Sequence, residues 1–314
     1  MPLLVSRHLT RLELDGVWFA CRCINLDGCP ALEHLEINEC ELTAVRKIMS
    51  FSLKHLVITS CDSDRWDERR IQICVPSLIS LRLACSPFSD SVRTPLLERM
   101  PELVGAEVWV NSYKDGCNCD NPMACYHVTW DGDTSDIDSD SDDDEECSGD
   151  YAGQNTTKCV VLEGLAQARD LVLIADGPTY ILRRDLRWCP TFSKLKTLVL
   201  TQVYWREPAD CSVLECMLEH APLLEKATLI SKKEPWWDGK YKVEFKGHPD
   251  AKVKSTKISQ HLQIVEIICE DVNGIFANVL NFLGTLNICG KARLGEQPPS
   301  SHLGELGTRL GDAI

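Results

Sequence analysis

A spaced leucine pattern recurs along most of this chain and constrains its fold more than any other feature. Residues 29–42, CPALEHLEINECEL, place apolar side chains at Leu32, Leu35 and Ile37. The same spacing, with Ala, Val or Ile at some positions, recurs in units that begin at residues 9, 32, 53, 78, 103, 168, 195, 224 and 262. Most units follow one another at intervals of 21 to 29 residues. Self-similarity at this period predicts a solenoid, in which each unit packs on its neighbours.

Within one unit, the apolar spacing is that of a short strand with a single buried face. Leu35 and Ile37 alternate with polar residues, and a strand points successive side chains to opposite faces. Because one unit cannot bury its apolar face alone, stacked units are expected to share a core beneath a parallel sheet. Cys40 and Cys61 follow two of the strands, where the chain turns inward, and we interpret both thiols as small buried side chains.

Prolines mark the boundaries between units. Pro30, Pro76, Pro101 and Pro222 each stand two residues before the first apolar residue of a unit, and proline cannot continue a helix. Apolar residues at three- and four-residue spacing predict helices over residues 43–50, 94–100, 212–221 and 274–283. The sequence thus predicts an α/β solenoid of long, irregular repeats, with a curved parallel sheet and with helices and loops on its convex side.

The strand alternation also predicts which side chains form the concave face of the sheet, opposite the core. We expect this face to bind a protein partner. Its second half is mostly apolar, which indicates either a contact surface or a surface covered by an insertion or by the tail. The predicted partner-binding residues are Arg11, Glu13, Asp15, His34, Glu36, Asn38, His55, Thr59, Ser80, Arg82, Val172, Ile174, Val199, Thr201, Thr228, Ile230, Ile264, Glu266 and Ile268.

The net charge of −14 is concentrated in one segment. Residues 115–157 hold 13 Asp and Glu and no Lys or Arg, so the rest of the chain is nearly neutral, which argues against a broad nucleic-acid-binding face. The acidic run from Asp131 lacks the glycine that a calcium loop needs at its sixth position, and its self-repulsion predicts disorder. Ser139 and Ser141 each have Asp three residues further on, which makes both candidates for phosphorylation by an acid-directed kinase.

These patterns divide the chain into four parts. Repeats occupy residues 1–111, and a Cys-containing, acidic, disordered insertion occupies 112–157. Repeats resume over 158–288, and 289–314 form an unstructured tail. The chain has no signal peptide in this interpretation, and its 17 cysteines are those of a reduced, cytoplasmic or nuclear protein.

Two further segments have alternative interpretations. Cys117, Cys119, Cys125 and His127 are a weak zinc candidate, because four soft ligands lie close together but lack a C-x2-C pair; a flexible insertion is the other interpretation. Residues 232–247 interleave lysines with aromatic residues, as some single-strand nucleic-acid binders do. Their Asp-Gly turn signal and their alternation favour a β-hairpin.

The repeats resemble a known family. CPALEHLEINECEL, SLKHLVITSC, RTPLLERMPEL, CPTFSKLKTLVL and APLLEKATL look like the leucine-rich repeats of plant F-box/LRR proteins, and residues 258–267 and 279–288 resemble their FBD-type C-terminal end. The resemblance implies the substrate-binding half of an SCF-type ubiquitin ligase, in which a separate F-box binds a Skp-type adapter. The chain begins directly in a repeat at Leu9, with no F-box-like segment before it. We therefore expect the 314-residue chain alone not to bind such an adapter.

The sequence therefore predicts a non-catalytic protein-recognition module without a cofactor. It contains no Gly-rich phosphate loop, no G-x-S-x-G elbow and no H-E-x-x-H helix. Two alternatives stay open: an acidic, chaperone-like binder of basic proteins acting through residues 131–150, and an inactive truncated product. The identity of the target protein does not follow from the sequence.

Overall fold

The structure is a computed structural model of the chain. It describes residues 4–62, 70–84, 94–111, 159–176, 182, 185–202, 212–231, 241–246, 260–269, 281, 283–284 and 291–296. The predicted insertion at 112–157, with its acidic run, its two serines and the candidate zinc ligands Cys117, Cys119, Cys125 and His127, lies outside these residues, as does the Asp238-Gly239 turn. Among the described residues, no helix has both the length and the apolar character needed to cross a membrane.

The fold is a solenoid made mostly of parallel sheet. A large sheet of eleven strands has the order β1-β3-β5-β7-β9-β10-β11-β12-β14-β13-β15, and a small sheet of four strands has the order β2-β4-β6-β8. The large-sheet strands are β1 (Arg11–Asp15), β3 (His34–Asn38), β5 (His55–Thr59), β7 (Ser80–Ala84), β9 (Gly105–Asn111), β10 (Asp170–Asp176), β11 (Thr197–Gln202), β12 (Lys226–Ser231), β13 (Tyr241–Lys246), β14 (Ile264–Cys269) and β15 (Lys291–Glu296). The small-sheet strands are β2 (Cys23–Asn25), β4 (Lys47–Met49), β6 (Gln72–Cys74) and β8 (Leu96–Leu97).

The register of the large sheet confirms the predicted units. Nine consecutive parallel strands align the second apolar residue of every unit in one row, which runs Leu12, Leu35, Leu56, Leu81, Ala106, Leu171, Leu198, Ala227 and Val265. Eight of these side chains are buried, and Leu12, in the first strand, is half-buried. Because a slip of one residue would turn this row to the opposite face, burial of the row fixes the pairing.

Two of the predicted helices are strands in the structure. Residues 47–49 form β4 and residues 96–97 form β8, so the turns of the first half alternate between the large and the small sheet. The prediction was wrong because Val45 and Ile48 are three residues apart, as on a helix face, whereas here Ile48 is the buried centre of a three-residue strand. The helix over residues 212–221 is confirmed as α1 (Ser212–His220). For the helix predicted over 274–283, the described residues 281 and 283 are helical.

Each proline is the second residue of a tight turn that leads into a large-sheet strand. The turn is closed by a hydrogen bond to the carbonyl three residues earlier, donated by the N–H groups of Leu32, Leu78, Leu103 and Leu224. Proline suits this second turn position, because its ring fixes the φ that the turn requires. In the first half these prolines therefore follow small-sheet strands, whereas Pro222 follows α1 as predicted.

Cys40 and Cys61 lie where the sequence predicts them. The residues before them, Glu39 and Ser60, have φ of 49° and 51°, which turns the chain inward after β3 and β5. Both thiols are buried. The Cys40 Sγ lies 3.1 Å from the carbonyl oxygen of Asn38 and accepts a hydrogen bond from the N–H of Val17 at 3.3 Å. A small side chain therefore fills the space between backbone groups of two adjacent turns, as the repeat requires.

The solenoid continues directly across the predicted insertion. Strands β9 and β10 pair in parallel although residues 112–169 separate them in the sequence. On the opposite side, the N–H of Leu97 donates to the carbonyl of Val160 at 2.9 Å, so residues 159–165 pack next to β8. Gly164 is required there, since a Cβ at this position would lie 2.5 Å from the Cβ of Leu97.

The C-terminal strands depart from the parallel pattern. Strand β13 pairs antiparallel with both β14 and β15. The structure describes only part of the predicted β-hairpin at 232–247. Residues 241–246 form β13, with β14 and β15 as partners, and the rest of the hairpin lies outside the described residues. The prediction of an unstructured tail from residue 289 was wrong for Lys291–Glu296, because the free edge of β13 offers backbone hydrogen bonds to these residues.

Candidate protein-binding face

The sheet register brings the predicted concave-face residues into three rows on the outer face of the large sheet. One row contains Arg11, His34, His55 and Ser80, a second contains Glu13, Glu36 and Arg82, and a third contains Asp15, Asn38 and Thr59. All ten of these side chains are exposed or half-buried. The first half of the outer face, from β1 to β7, is therefore a polar surface, which we call the polar face.

Hydrogen bonds and ion pairs connect the polar face across three strands. The Arg11 guanidinium pairs with Glu13 at 2.5 Å and with Glu36 at 3.3 Å, which raises the pKa of Arg11. The Asn38 amide donates to Glu36 at 3.1 Å, and the Thr59 hydroxyl donates to the Asn38 side-chain oxygen. Exposed ion pairs of this kind contribute little stability, because water screens the charges. Their effect is to hold polar groups in fixed positions before any partner binds.

Two histidines stack beside this network. The rings of His34 and His55 lie 4.3 Å apart between centroids and are inclined by 10°. Burial, together with the charge of His34, lowers the pKa of His55, while Glu33 acts in the opposite direction. Folding therefore makes protonation of His55 less favourable than in the unfolded chain.

The second half of the outer face is not a free surface. Val172, Ile174, Val199 and Ile230 are buried and form a cluster separate from the main core. Thr201, Thr228 and Glu266 are also buried, and Trp109, Ile264 and Ile268 are partly buried. The prediction of an exposed contact surface is therefore wrong for the seven buried residues of this set, whereas Ile264 and Ile268 stay half-buried. The burial agrees with the alternative that the rows are covered.

Buried charged groups at the two ends of this apolar region are paired. Glu107 lies 3.5 Å from the Arg82 guanidinium; burial raises the pKa of Glu107, and Arg82 opposes that shift. Glu266 pairs with Lys226 at 2.9 Å and accepts a hydrogen bond from Thr228 at 3.2 Å. A buried carboxylate is costly unless it is paired, so these contacts allow the sheet to bury acidic residues next to its apolar cluster.

The structure also brings together groups that the sequence did not single out. Cys189, Cys216 and His220 place their ligand atoms within 4.8 Å of one another. Asp185 is fully buried and accepts hydrogen bonds from the N–H groups of Val160, Val161 and Leu162. The one sequence signal for the first group is the spacing of Cys216 and His220, which places both residues on one face of a helix.

Comparisons with protein-family models, with curated proteins and with solved structures found no match to this chain. The geometry of the chain therefore carries the functional argument.

Proposed function

We propose that this chain is a non-catalytic, leucine-rich-repeat recognition module whose polar face binds a protein. The observation that carries the proposal is the connected network of Arg11, Glu36 and Asn38 across adjacent strands. A polar surface fixed before binding loses less side-chain entropy when the partner binds, and this favours affinity. Electrostatic complementarity to such a surface adds selectivity and a faster association rate.

The charge of the polar face suggests which part of a partner it contacts. Glu13, Asp15 and Glu36 lie together near the first strand, and among these outer-face positions of β1 and β3 the one cation, Arg11, is already paired. A basic segment of the partner would complement this acidic end. The resemblance to plant F-box/LRR proteins supports ubiquitin-ligase substrate selection as the setting, with the partner as the protein to be ubiquitinated.

Site-specific photo-crosslinking tests this proposal. A benzophenone amino acid at Val57, which lies at the centre of the polar face on β5, should capture a partner that the same group at Lys47, on the small sheet, does not. Charge reversal by Glu13→Lys and Glu36→Lys should lower the yield at Val57 at least fivefold. Glu102→Lys, the same change at an exposed turn, should leave it unchanged. Equal capture from Val57 and Lys47 would refute the assignment of the face.

Two further measurements separate this proposal from its alternatives. Deletion of residues 131–150 should leave capture intact at moderate salt, whereas its loss would support the acidic, chaperone-like binder instead. Titration with a purified Skp-type adapter should give no saturable binding. Micromolar or tighter adapter binding would show that the ligase connection lies within these residues.

A further inference from the structure

A cluster of two thiols and one imidazole lies in the two connections that flank β11. Among the residues that the structure describes, Cys189, Cys216 and His220 are the one group of three potential metal ligands whose donor atoms lie within 4.8 Å of one another. The Sγ of Cys216 and the Nδ1 of His220 are 3.6 Å apart. This Nδ1 also lies 2.9 Å from the carbonyl oxygen of Cys216, so it would exchange that hydrogen bond for the metal. Tetrahedral zinc, with bonds of about 2.3 Å to sulfur and about 2.0–2.1 Å to nitrogen, separates two such ligands by about 3.6 Å.

The backbone positions this cluster before any ion binds. Cys216 and His220 are one turn apart on α1, so their side chains lie on the same helix face. Cys189 follows a 3-10 turn (Leu186–Trp188), and its N–H donates to Leu186. The N–H of Phe192 then donates to the carbonyl of His220 at 2.9 Å, which joins the Cys189 loop to the end of the helix.

The chemistry of the three groups suits zinc. All three residues are half-buried, so an ion can reach them from solvent while protein surrounds it on the other sides. Sulfur and imidazole nitrogen are the donors that zinc prefers, and hard cations such as magnesium and calcium prefer oxygen.

We propose that Cys189, Cys216 and His220 form a zinc site, with water in the remaining coordination position. The site joins the loop before β11 to the helix after it. Zinc would therefore hold two successive connections of the solenoid together. This candidate is distinct from the cysteine-containing loop at 117–127, whose zinc interpretation rests on sequence spacing alone.

Metal titration of the full chain tests the proposal. Wild-type protein stripped with a chelator should bind Zn²⁺ in competition with a chromophoric chelator. Co²⁺ should give the thiolate charge-transfer and visible bands of a tetrahedral site with two sulfur ligands. Cys189→Ser, Cys216→Ser and His220→Ala should each weaken binding at this site at least tenfold. Cys74→Ser, a half-buried cysteine on β6, and Cys117→Ser should leave this affinity unchanged.

Three results would overturn the proposal. The first is a Co²⁺ spectrum without tetrahedral bands in the wild-type protein, a readout that does not depend on any variant folding. The second is unchanged Zn²⁺ affinity in the Cys216→Ser variant when circular dichroism shows it to be folded. The third is a Cys189–Cys216 disulfide, found by mass spectrometry in metal-free protein purified under reducing buffer, which would assign the two thiols a redox role.

Discussion

Replacing Asp185 with alanine is expected to destabilise the solenoid where it resumes after residues 112–158. The Asp185 Oδ2 accepts hydrogen bonds from three consecutive backbone N–H groups, those of Val160 at 3.0 Å, Val161 at 2.7 Å and Leu162 at 3.1 Å. Its Oδ1 accepts a second bond from Val160 at 2.9 Å. Asp185 and all three donor residues are buried. The carboxylate therefore fixes the backbone that pairs with β8.

The expected loss of unfolding free energy follows from the backbone N–H groups that the substitution leaves without a partner. A buried donor without a partner costs about 1–3 kcal/mol. Because water can enter part of the space, the three losses will not add fully, and we expect Asp185→Ala to cost about 3–5 kcal/mol. Asp185→Asn can keep its carbonyl oxygen at the Oδ2 position and loses mainly the Oδ1 bond, so it should cost about 1–3 kcal/mol.

Urea unfolding followed by far-ultraviolet circular dichroism measures these losses, with Asp27→Ala, at an exposed turn, as the matched control. Repeat proteins can unfold in parts, so amide hydrogen exchange at Val160, Val161 and Leu162 gives a local second measurement. Exchange there should accelerate in Asp185→Ala. If Asp185→Ala falls within about 0.5 kcal/mol of the control, a difference typical of neutral surface changes, the reasoning about this carboxylate is refuted.

Three other substitutions test separate parts of the fold. Gly164→Ala would place a Cβ 2.5 Å from the Leu97 Cβ and 3.0 Å from the backbone oxygens of Leu97 and Glu98, and it should cost about 1–3 kcal/mol in urea unfolding. Gly284→Ala, whose added Cβ would meet nothing within 4 Å outside its own helix backbone and chain neighbours, is its control. Because the pKa of His55 is lowered on folding, the unfolded chain binds protons more readily, and stability should fall as pH drops below about 6.5. His55→Gln should reduce the difference between urea midpoints at pH 7.5 and 5.5, and an unchanged difference would contradict this. Cys40→Leu should cost about 1–3 kcal/mol by overpacking, and Cys40→Ala should cost less; the reverse order would contradict the interpretation of this position.

The large sheet was predictable because its signal has two independent parts. Each strand alternates apolar and polar residues, and the same alternation returns in each unit. The equivalent positions Leu35 and Leu56 could therefore be predicted to pair on adjacent strands. The small sheet gave no such signal. A strand of three residues, such as β4, has a single buried side chain, Ile48, and one apolar residue defines no period. Helix α1 was predictable because nine residues are enough for the three- and four-residue spacing to repeat.

The polar contacts of the second half were not predictable for a different reason. Asp185 and Val160 are 25 residues apart, and Cys189 and Cys216 lie in separate connections of the solenoid. Their approach depends on how those connections pack over the sheet, and the strand pattern does not encode this. The burial of Val172 and Val199 was likewise open from the sequence, because an apolar outer row is compatible with either a partner or a cover.

The outer face of the large sheet changes character at β9, and this decides which substitutions can report on binding. Arg82 is exposed, but its partner Glu107 is buried next to the apolar cluster. Arg82→Ala would leave that carboxylate buried without its cation, a change that costs stability whether or not a partner binds. Arg11 and Glu13 pair with each other in solvent, where water screens the charges and the loss of a pair costs little stability. A weaker complex in an Arg82 variant would therefore mix folding with recognition, whereas the same result in a Glu13 variant would isolate recognition.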